Sequence, residues 1–258
     1  MPWKTLSLAH EGPVLRVWLD RPERRNALNT DALEELAALF GSLQTDFQTR
    51  VVILGGRGQS FCAGADRTDP PGSARLIASS DATERERRYV SQIGLRACRA
   101  IEDVEAVTIA RIHGHAIGGG LALALACDFR IAAEGTAFRV PEVDLGIPLS
   151  WGAAPRLIHE VGAARARELI LLCERIDAAR ALDWGLLHRV VVPEALDETV
   201  DAWATRLAAK PEIAVHMTKT QFRAYAHRAV LGNVTETDGD VLLAASRTAL
   251  AHASFGTK

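Results

Sequence analysis

Two short apolar runs, each followed directly by glycine-rich sequence, constrain the fold of this chain most strongly. Val51–Leu54 is β-branched except for its last residue, and Val104–Ile112 precedes the glycine-rich residues 113–120. Runs of this length and composition are typical of strands that are buried on both faces of a sheet. Between them and around them, apolar residues recur at helical spacing, starting near residue 31. The sequence therefore predicts an α/β protein.

The predicted organisation is an α/β core over residues 1–193, followed by a helical region over 194–258. Asn29 or Thr30 stands where a side chain would cap the first helix. Polar residues 67–90 predict a surface loop that leads into a helix. The other predicted elements are a hairpin of Lys4–Ala9 and Val14–Leu19, helices over Ala82–Cys98 and Gly114–Ala126, and strands over Asp128–Ile131 and Leu187–Val192.

Composition excludes several classes of protein. The chain has 258 residues, 48% hydrophobic and 24% charged, with a net charge of −2, which argues against disorder and against a nucleic-acid-binding protein. Its longest uncharged apolar stretch, Ile117–Cys127, is shorter than the ~20 residues that cross a bilayer. The first residues lack the layout of a signal peptide. We therefore expect a cytoplasmic protein with no membrane partner, whose scattered cysteines are reduced.

The two glycine-rich stretches, residues 60–66 and 113–120, do not match nucleotide-binding motifs. Neither has glycines at GxGxxG spacing, and Gly120 stands where a Walker motif has lysine. Glycines that open a helix expose free amides in the positive end of the helix dipole, which suits a developing oxyanion. Close packing of a helix against a strand is the competing explanation, and the glycines alone do not distinguish the two.

Ala63-Gly64-Ala65-Asp66 follows one predicted strand, and Gly118-Gly119-Gly120 follows the next, some fifty residues on. In this order and spacing the two motifs resemble the crotonase (enoyl-CoA hydratase/isomerase) superfamily, and the resemblance extends over most of the chain. Residues 25–29, Arg-Asn-Ala-Leu-Asn, resemble the CoA-contacting segment of that family. Residues 61–66 and 114–120 resemble its first and second oxyanion segments. Further matches are Pro141-Glu142, Arg156-Leu157 and Trp184-Gly185-Leu186.

The resemblance implies a crotonase-like spiral of ββα units with a C-terminal helical trimerisation region, assembled as a homotrimer or as a dimer of trimers. It implies an acyl-CoA substrate whose thioester carbonyl lies between the amides of Ala65 and Gly119, with no metal and no cofactor beyond the CoA moiety. The residues it implies for substrate and CoA binding are Arg25, Asn26, Ala27, Leu28, Ala63, Gly64, Ala65, Asp66, Gly118 and Gly119.

Acidic residues distinguish the activities within the family. Hydratases similar to this chain carry two glutamates, of which the second matches Glu142 and the first falls on Ala122. Enoyl-CoA isomerases use one carboxylate at the second position, since one base can take a proton from one carbon and return it to another. Dienoyl-CoA isomerases need acids at two positions that hold Ala122 and Ser150 in this chain, so the resemblance disfavours that activity. The resemblance therefore favours enoyl-CoA isomerisation with Glu142 as the catalytic acid/base.

Two alternatives remain open. Hydroxycinnamoyl-CoA hydratase-lyases also keep only the second glutamate, so hydration or lyase chemistry with one glutamate is the first. An acyl-CoA-binding protein with little or no catalysis is the second. Asp144 is a possible auxiliary acid: in an extended segment it lies on the same side as Glu142, whereas in a turn it faces solvent.

The remaining charged residues have alternative interpretations or no predicted role in the site. Arg21, Arg24 and Arg25 are placed either to neutralise the phosphates of CoA or simply on a solvated surface. The pair His113 and His115 has no further ligands nearby, which disfavours a metal site. A helical position predicts that Lys219 is solvated. Many relatives end in a CoA-covering stretch that residues 254–258 do not match, so we expect no CoA contact from Phe255 or Lys258.

Overall fold

A computed structural model describes residues 3–72, 81–226 and 238–246. These residues form a six-stranded sheet in the order β1-β2-β3-β4-β6-β9 and a three-stranded sheet in the order β5-β7-β8. The strands are β1 (Leu6–Glu11), β2 (Val14–Leu19), β3 (Val51–Gly56), β4 (Val107–Ile112), β5 (His115–Ile117), β6 (Phe129–Ala133), β7 (Ala137–Arg139), β8 (Ile176–Asp177) and β9 (Arg189–Val191).

The larger sheet is parallel except for the β1–β2 hairpin at its edge. Every residue of β3 is buried, because helices cover both faces of the sheet. On one face, Leu196, Val200 and Ala204 of the first C-terminal helix pack against Ile53 and Ile109. The predicted α/β class is confirmed. The first helix of the predicted 194–258 region belongs to the covering of the sheet, and the division at residue 193 stays a prediction.

The helices connect the strands and close the molecule. They are α1 (Thr30–Ser42), α2 (Glu84–Ser91), α3 (Ile93–Asp103), α4 (Gly119–Ala126), α5 (Ala153–Leu172), α6 (Ala178–Asp183), α7 (Leu196–Ala208), α8 (Glu212–Ala226) and α9 (Asp238–Ser246). Of the two predicted caps, Asn29 begins α1, since its side chain accepts a hydrogen bond from the Ala32 amide at 3.0 Å. Among the described helices, none has the length and apolarity to cross a membrane.

Two predicted helices have different bounds in the structure. The helix expected over Ala82–Cys98 is divided at Gln92 into α2 and α3. The helix expected from Gly114 begins only at Gly119, because residues 115–117 form β5 beside β7. Gly118 separates β5 from α4 with a φ of +49°, a backbone conformation that favours glycine.

The expectation that Lys219 is solvated is wrong. Instead of being solvated, it is 8% exposed, and its Nζ donates to the Ala106 carbonyl at 2.8 Å. The same ammonium lies 2.8 Å from the Asp128 carboxylate, which also accepts from the Thr108 amide. The buried ammonium is thus compensated by the Asp128 carboxylate, directly before β6, and by the Ala106 carbonyl. Phe255, Lys258 and residues 73–80 of the predicted loop lie outside the described residues.

Candidate active site

The two glycine-rich stretches lie side by side and are joined by backbone hydrogen bonds. The Phe61 amide donates to the His113 carbonyl at 2.8 Å, and the Cys62 amide donates to the His115 carbonyl at 2.9 Å. In return, the Ile117 amide donates to the Cys62 carbonyl at 3.1 Å. This ladder fixes the register of the two segments and places residues 64–65 beside the start of α4.

Close packing explains two of the glycines. A Cβ atom on Gly64, whose φ is +93°, would lie 2.8 Å from the Ile117 carbonyl oxygen and 3.8 Å from the Gly119 nitrogen. A Cβ on Gly120 would lie 2.6 Å from the Cys62 carbonyl oxygen. The packing explanation for the glycines therefore applies here, and it also brings two backbone segments close enough to share one ligand atom.

The amides of Ala65 and Gly119 are free donors within the described part of the chain. Neither donates to a protein acceptor there, whereas the Asp66 amide donates to Leu28 at 2.8 Å and the Gly118 amide donates to a carbonyl of β7 at 2.9 Å. Gly119 is also the first residue of α4, so its N–H points out of the positive end of a helix. Two such donors on adjacent segments suit an oxygen that gains negative charge.

Glu142 faces these amides across Gly118. A Cβ on Gly118 would lie 2.5 Å from the Glu142 Oε1. The other carboxyl oxygen, Oε2, is hidden from solvent and has no hydrogen-bond partner among the described residues. Burial raises the pKa of Glu142 to about 7, against smaller opposing effects of its own backbone N–H and the charge of Arg139. A carboxyl group with this pKa both accepts and returns protons at neutral pH.

The position of the absent first glutamate is apolar. Ala122, one turn after Gly119 on α4, is 1% exposed, and its methyl group has no acid–base chemistry. The possibility that Asp144 lies beside Glu142 in an extended segment is wrong. Residues 143–145 form a 3₁₀ turn, and Asp144 accepts a hydrogen bond from Arg139 at 2.7 Å with both side chains largely exposed. Asp144 is thus a turn acid.

Sequence reasoning missed Trp151. It lies in the loop between the Glu142 turn and α5, its φ is +60°, and its side chain is buried. A Cβ on Gly119 would lie 2.7 Å from Cη2 of the indole, so the ring covers the residue that carries the second free amide. The signal was a bulky aromatic residue directly before Gly152, between Ser150 and the small residues 152–154.

Of the three arginines near the predicted CoA segment, Arg21 is occupied by the protein itself. It donates to the Ala27 carbonyl at 2.5 Å and to Asp66 at 2.9 Å. Arg24 and Arg25 are exposed, and Arg25 has a φ of +51°. Two of the three guanidinium groups therefore remain available to solvent or to a ligand.

The predicted CoA segment also supports the first amide segment. Asn26 is buried, with a φ of +56°, and its side-chain amide donates to the carbonyls of Arg57 and Ser60 at 2.9 and 2.8 Å. The Leu28 amide donates to the Gly64 carbonyl at 2.8 Å. These bonds hold Gly64 and Ala65 against the end of β3, so residues 25–28 position one of the two free amides.

The two histidines are held by other groups. His113 Nε2 donates to the Gly58 carbonyl at 2.9 Å, and its Nδ1 accepts from Arg111 at 3.0 Å. His115 Nδ1 shares a hydrogen bond of 2.9 Å with the Ser60 hydroxyl. Across the residues that the structure describes, no group of three or more His, Cys, Asp or Glu side chains is arranged to hold a metal ion.

Comparison with known proteins agrees with the motifs. The family model for enoyl-CoA hydratase/isomerase matches residues 9–252. The chain therefore belongs to the enoyl-CoA hydratase/isomerase family, within the crotonase superfamily that the sequence motifs predicted.

Its relatives carry both activities in their names. A short-chain-enoyl-CoA hydratase of Clostridium acetobutylicum is 35% identical over 220 residues, covering 85% of this chain and 81% of the relative. The structure of an enoyl-CoA hydratase/isomerase from Mycobacterium paratuberculosis superposes with a TM-score of 0.87 at 25% identity, covering 99% and 98% of the chains. A monofunctional enoyl-CoA isomerase of M. smegmatis superposes with 0.71 at 30% identity, covering 88% and 96%. These names do not favour the isomerase over the hydratase.

Proposed function

We propose that this chain is an enoyl-CoA isomerase in which Glu142 is the single acid/base. The observation that carries the proposal is the state of that carboxyl group. It is buried, has no hydrogen-bond partner at Oε2 over residues 3–72, 81–226 and 238–246, has a pKa of about 7, and faces Gly118 beside the two free amides. The position that supplies the second acid in two-glutamate hydratases is the methyl group of Ala122.

The reaction balances without water. The thioester oxygen of a 3-enoyl-CoA accepts hydrogen bonds from Ala65 and Gly119, and ionised Glu142 removes a proton from C2. The C2–H electron pair is delocalised into the carbonyl, which gives a dienolate; each fixed donor to its oxygen stabilises it by about 3 kcal/mol. Protonated Glu142 then returns the proton to C4, and the double bond moves from C3=C4 to C2=C3.

Hydration by one glutamate is the second candidate, and the 35% identity to a named short-chain-enoyl-CoA hydratase favours it. In that reaction Glu142 alone would deprotonate the water and then protonate C2, because Ala122 cannot hold or activate a water molecule. The hydratase-lyase variant makes the same demand. Acyl-CoA binding with little turnover is the remaining alternative.

The proposal includes the substrate contacts and the assembly. CoA lies along residues 25–28 and 63–66, where the exposed Arg24 and Arg25 supply charge for its phosphates, with no metal and no further cofactor. The chain assembles as a homotrimer or a dimer of trimers in the cytoplasm. The exposed apolar side chains of α8 that support assembly through the C-terminal helices are Ile213, Met217, Phe222 and Tyr225.

The test supplies the purified protein with 3-hexenoyl-CoA and, separately, with crotonyl-CoA, and identifies the products chromatographically. We expect double-bond migration in the first reaction, and a rate about 10²–10⁴ lower in Glu142→Gln. Asp144→Asn, in the neighbouring exposed turn, serves as the matched control and keeps the wild-type rate.

The other outcomes contradict either the catalytic base or the isomerase activity. Migration at full rate in Glu142→Gln contradicts the assignment of the base. Water addition to crotonyl-CoA without migration replaces the isomerase with the hydratase. Binding of both thioesters without turnover of either establishes the binding protein.

A further inference from the structure

Trp151 lies next to the proposed thioester site in an unfavourable backbone conformation. For a bulky residue, a φ of +60° is unfavourable and persists only where the surroundings impose it. Here the Trp151 carbonyl accepts from Arg156 at 3.0 Å, and the next amide, of Gly152, donates to Asp238 at 2.7 Å. Arg156 in turn forms a buried ion pair with Glu102. The loop is thus held in this conformation by polar groups of α3, α5 and α9.

Two glycines make room for the indole. A Cβ on Gly94 would collide with Cε2, Cδ2 and Nε1 of the ring, and a Cβ on Gly119 would collide with Cζ3 and Cη2. Neither glycine has a positive φ, in contrast to Gly118 and Gly152, so backbone conformation does not require glycine at these two positions. Gly94 is the second residue of α3, and glycine is a poorer helix former than alanine. Space for the ring is what both glycines provide.

The ring and the carboxyl group flank the same amide. A Cβ added to Gly118 would point to Glu142, and a Cβ added to the next residue, Gly119, would point to the indole. An acyl group whose carbonyl oxygen accepts from the Gly119 amide, and whose C2 faces Glu142, therefore extends past the ring. The indole is 8% exposed and fills the space between Gly94 and Gly119.

We propose that Trp151 determines acyl-chain length, by closing the pocket beside the Gly119 amide so that the enzyme accepts short-chain acyl thioesters and rejects long ones. The inference rests on the proposed function, because it takes the Gly119 amide as a donor to the thioester. It goes beyond that function in assigning the substrate class to one side chain. The glycine at position 94 and the strained backbone at 151 are then the stability cost of this selectivity.

The experiment measures binding separately from turnover. Saturated butyryl-CoA and octanoyl-CoA do not isomerise, so their dissociation constants, obtained by isothermal titration calorimetry, report the pocket alone. For the wild type we expect butyryl-CoA to bind more tightly. In Trp151→Gly, which tolerates the positive φ, we expect the ratio of the two constants to shift by at least tenfold towards octanoyl-CoA. Trp151→Phe is expected to shift it in the same direction by a smaller factor.

Trp184→Phe is the matched control for the phenylalanine variant. Trp184 is also 8% exposed, but its ring packs against Arg165 and Arg180, and we expect the ratio to stay at its wild-type value. Circular dichroism checks folding, and if Trp151→Gly does not fold, Trp151→Phe carries the test. An unchanged ratio in the folded Trp151 variants, or a wild type that binds octanoyl-CoA as tightly as butyryl-CoA, overturns the proposal.

The two proposals fail in different ways. If Glu142→Gln retains full migration but Trp151→Gly shifts the binding ratio, the length selectivity stands and the isomerase mechanism fails. If Glu142→Gln loses activity but both Trp151 variants keep the ratio, the mechanism stands and the selectivity proposal fails.

Discussion

The two sides of the candidate site are built by opposite means. The amide side, residues 61–66 and 114–119, is held by backbone hydrogen bonds of 2.8 to 3.1 Å, and among the described residues the Ala65 and Gly119 amides have no acceptor. The carboxylate side, residues 142–152, contains a hidden carboxyl oxygen with no partner in the described part of the chain and a tryptophan with a left-handed backbone. On one side, the two amides that would bind a ligand oxygen are held in place by the hydrogen bonds of their neighbours. The other stores unfavourable free energy at the group that would react.

This difference assigns a separate task to each side. Fixed amides stabilise a developing charge best when they do not have to reorganise, and a backbone ladder supplies that rigidity. A carboxyl group transfers protons near neutral pH only when its charged form is destabilised, and removal from solvent does this. The amide side therefore contributes to protein stability, whereas the carboxylate side lowers it.

The largest effect is expected from breaking the amide side. In Gly64→Ala, the new methyl group meets the Ile117 carbonyl at 2.8 Å and must push the Ala65 amide away from Gly119. We expect kcat/KM for 3-hexenoyl-CoA to fall by about 10²–10³, as for the loss of one oxyanion donor. The control is Gly135→Ala, which has a similar φ of +76° but nothing within 4 Å of the new Cβ. Equal losses of activity in the two variants would show that backbone strain, not the amide, is responsible.

A smaller effect, in the opposite direction, is expected from relaxing the carboxylate side. The folded state raises the pKa of Glu142 from 4.5 to about 7, so it favours the protonated form. Protonated Glu142 contributes stability below pH 4.5, and this contribution is lost as the pH rises through about 7. Glu142→Gln avoids the loss, and we expect its free energy of unfolding at pH 8 to exceed that of the wild type by about 2–3 kcal/mol.

Urea unfolding at pH 4 and at pH 8 checks this expectation. The stabilities of the wild type and Glu142→Gln should converge at pH 4, where the glutamate is protonated in both the folded and the unfolded chain. Asp144→Asn, an exposed control in the same turn, should stay within about 0.5 kcal/mol of the wild type at both pH values. A glutamine variant that is less stable at pH 8 would mean that Glu142 is not destabilised by burial.

The third effect, about tenfold for each pH unit, is the pH dependence of the reaction itself. Glu142 must be ionised to remove the C2 proton, so we expect kcat/KM to fall about tenfold per pH unit below a pKa near 7 and to level above it. Initial rates between pH 5 and 9 measure the profile. A midpoint near 4.5, the ordinary pKa of a glutamate, would contradict the difference between the two sides.

The sequence predicted the amide side better than the carboxylate side. Val51–Leu54 is buried in β3 and the glycine-rich residues after it pair with residues 113–117, because contiguous apolar runs and glycines are local signals. The turn that separates Asp144 from Glu142 was not predictable from alternation. Its geometry depends on Arg139, which is bonded to Asp144 from a neighbouring strand.

Burial of single side chains was the other unpredictable property. The pKa of Glu142 depends on its burial beside Gly118, and the position of Trp151 depends on Gly94 of α3 and Gly119 of α4; no local pattern at 142–152 records those contacts. Lys219 illustrates the same limit, since an isolated lysine on a helix reads as solvated until the carboxylate of Asp128 is found beside it.

That ion pair also sets an order of events during protein synthesis. Asp128 is made about ninety residues before Lys219, so at about 5–20 residues per second the nascent chain holds the carboxylate for about 5–20 s before its ammonium partner exists. During this interval Thr108 can already donate to the carboxylate, but Asp128, beside the start of β4, lacks its counter-charge and the Ala106 carbonyl lacks its donor. The ion pair between α8 and the central sheet can therefore form only after helix α8 has left the ribosome and docked.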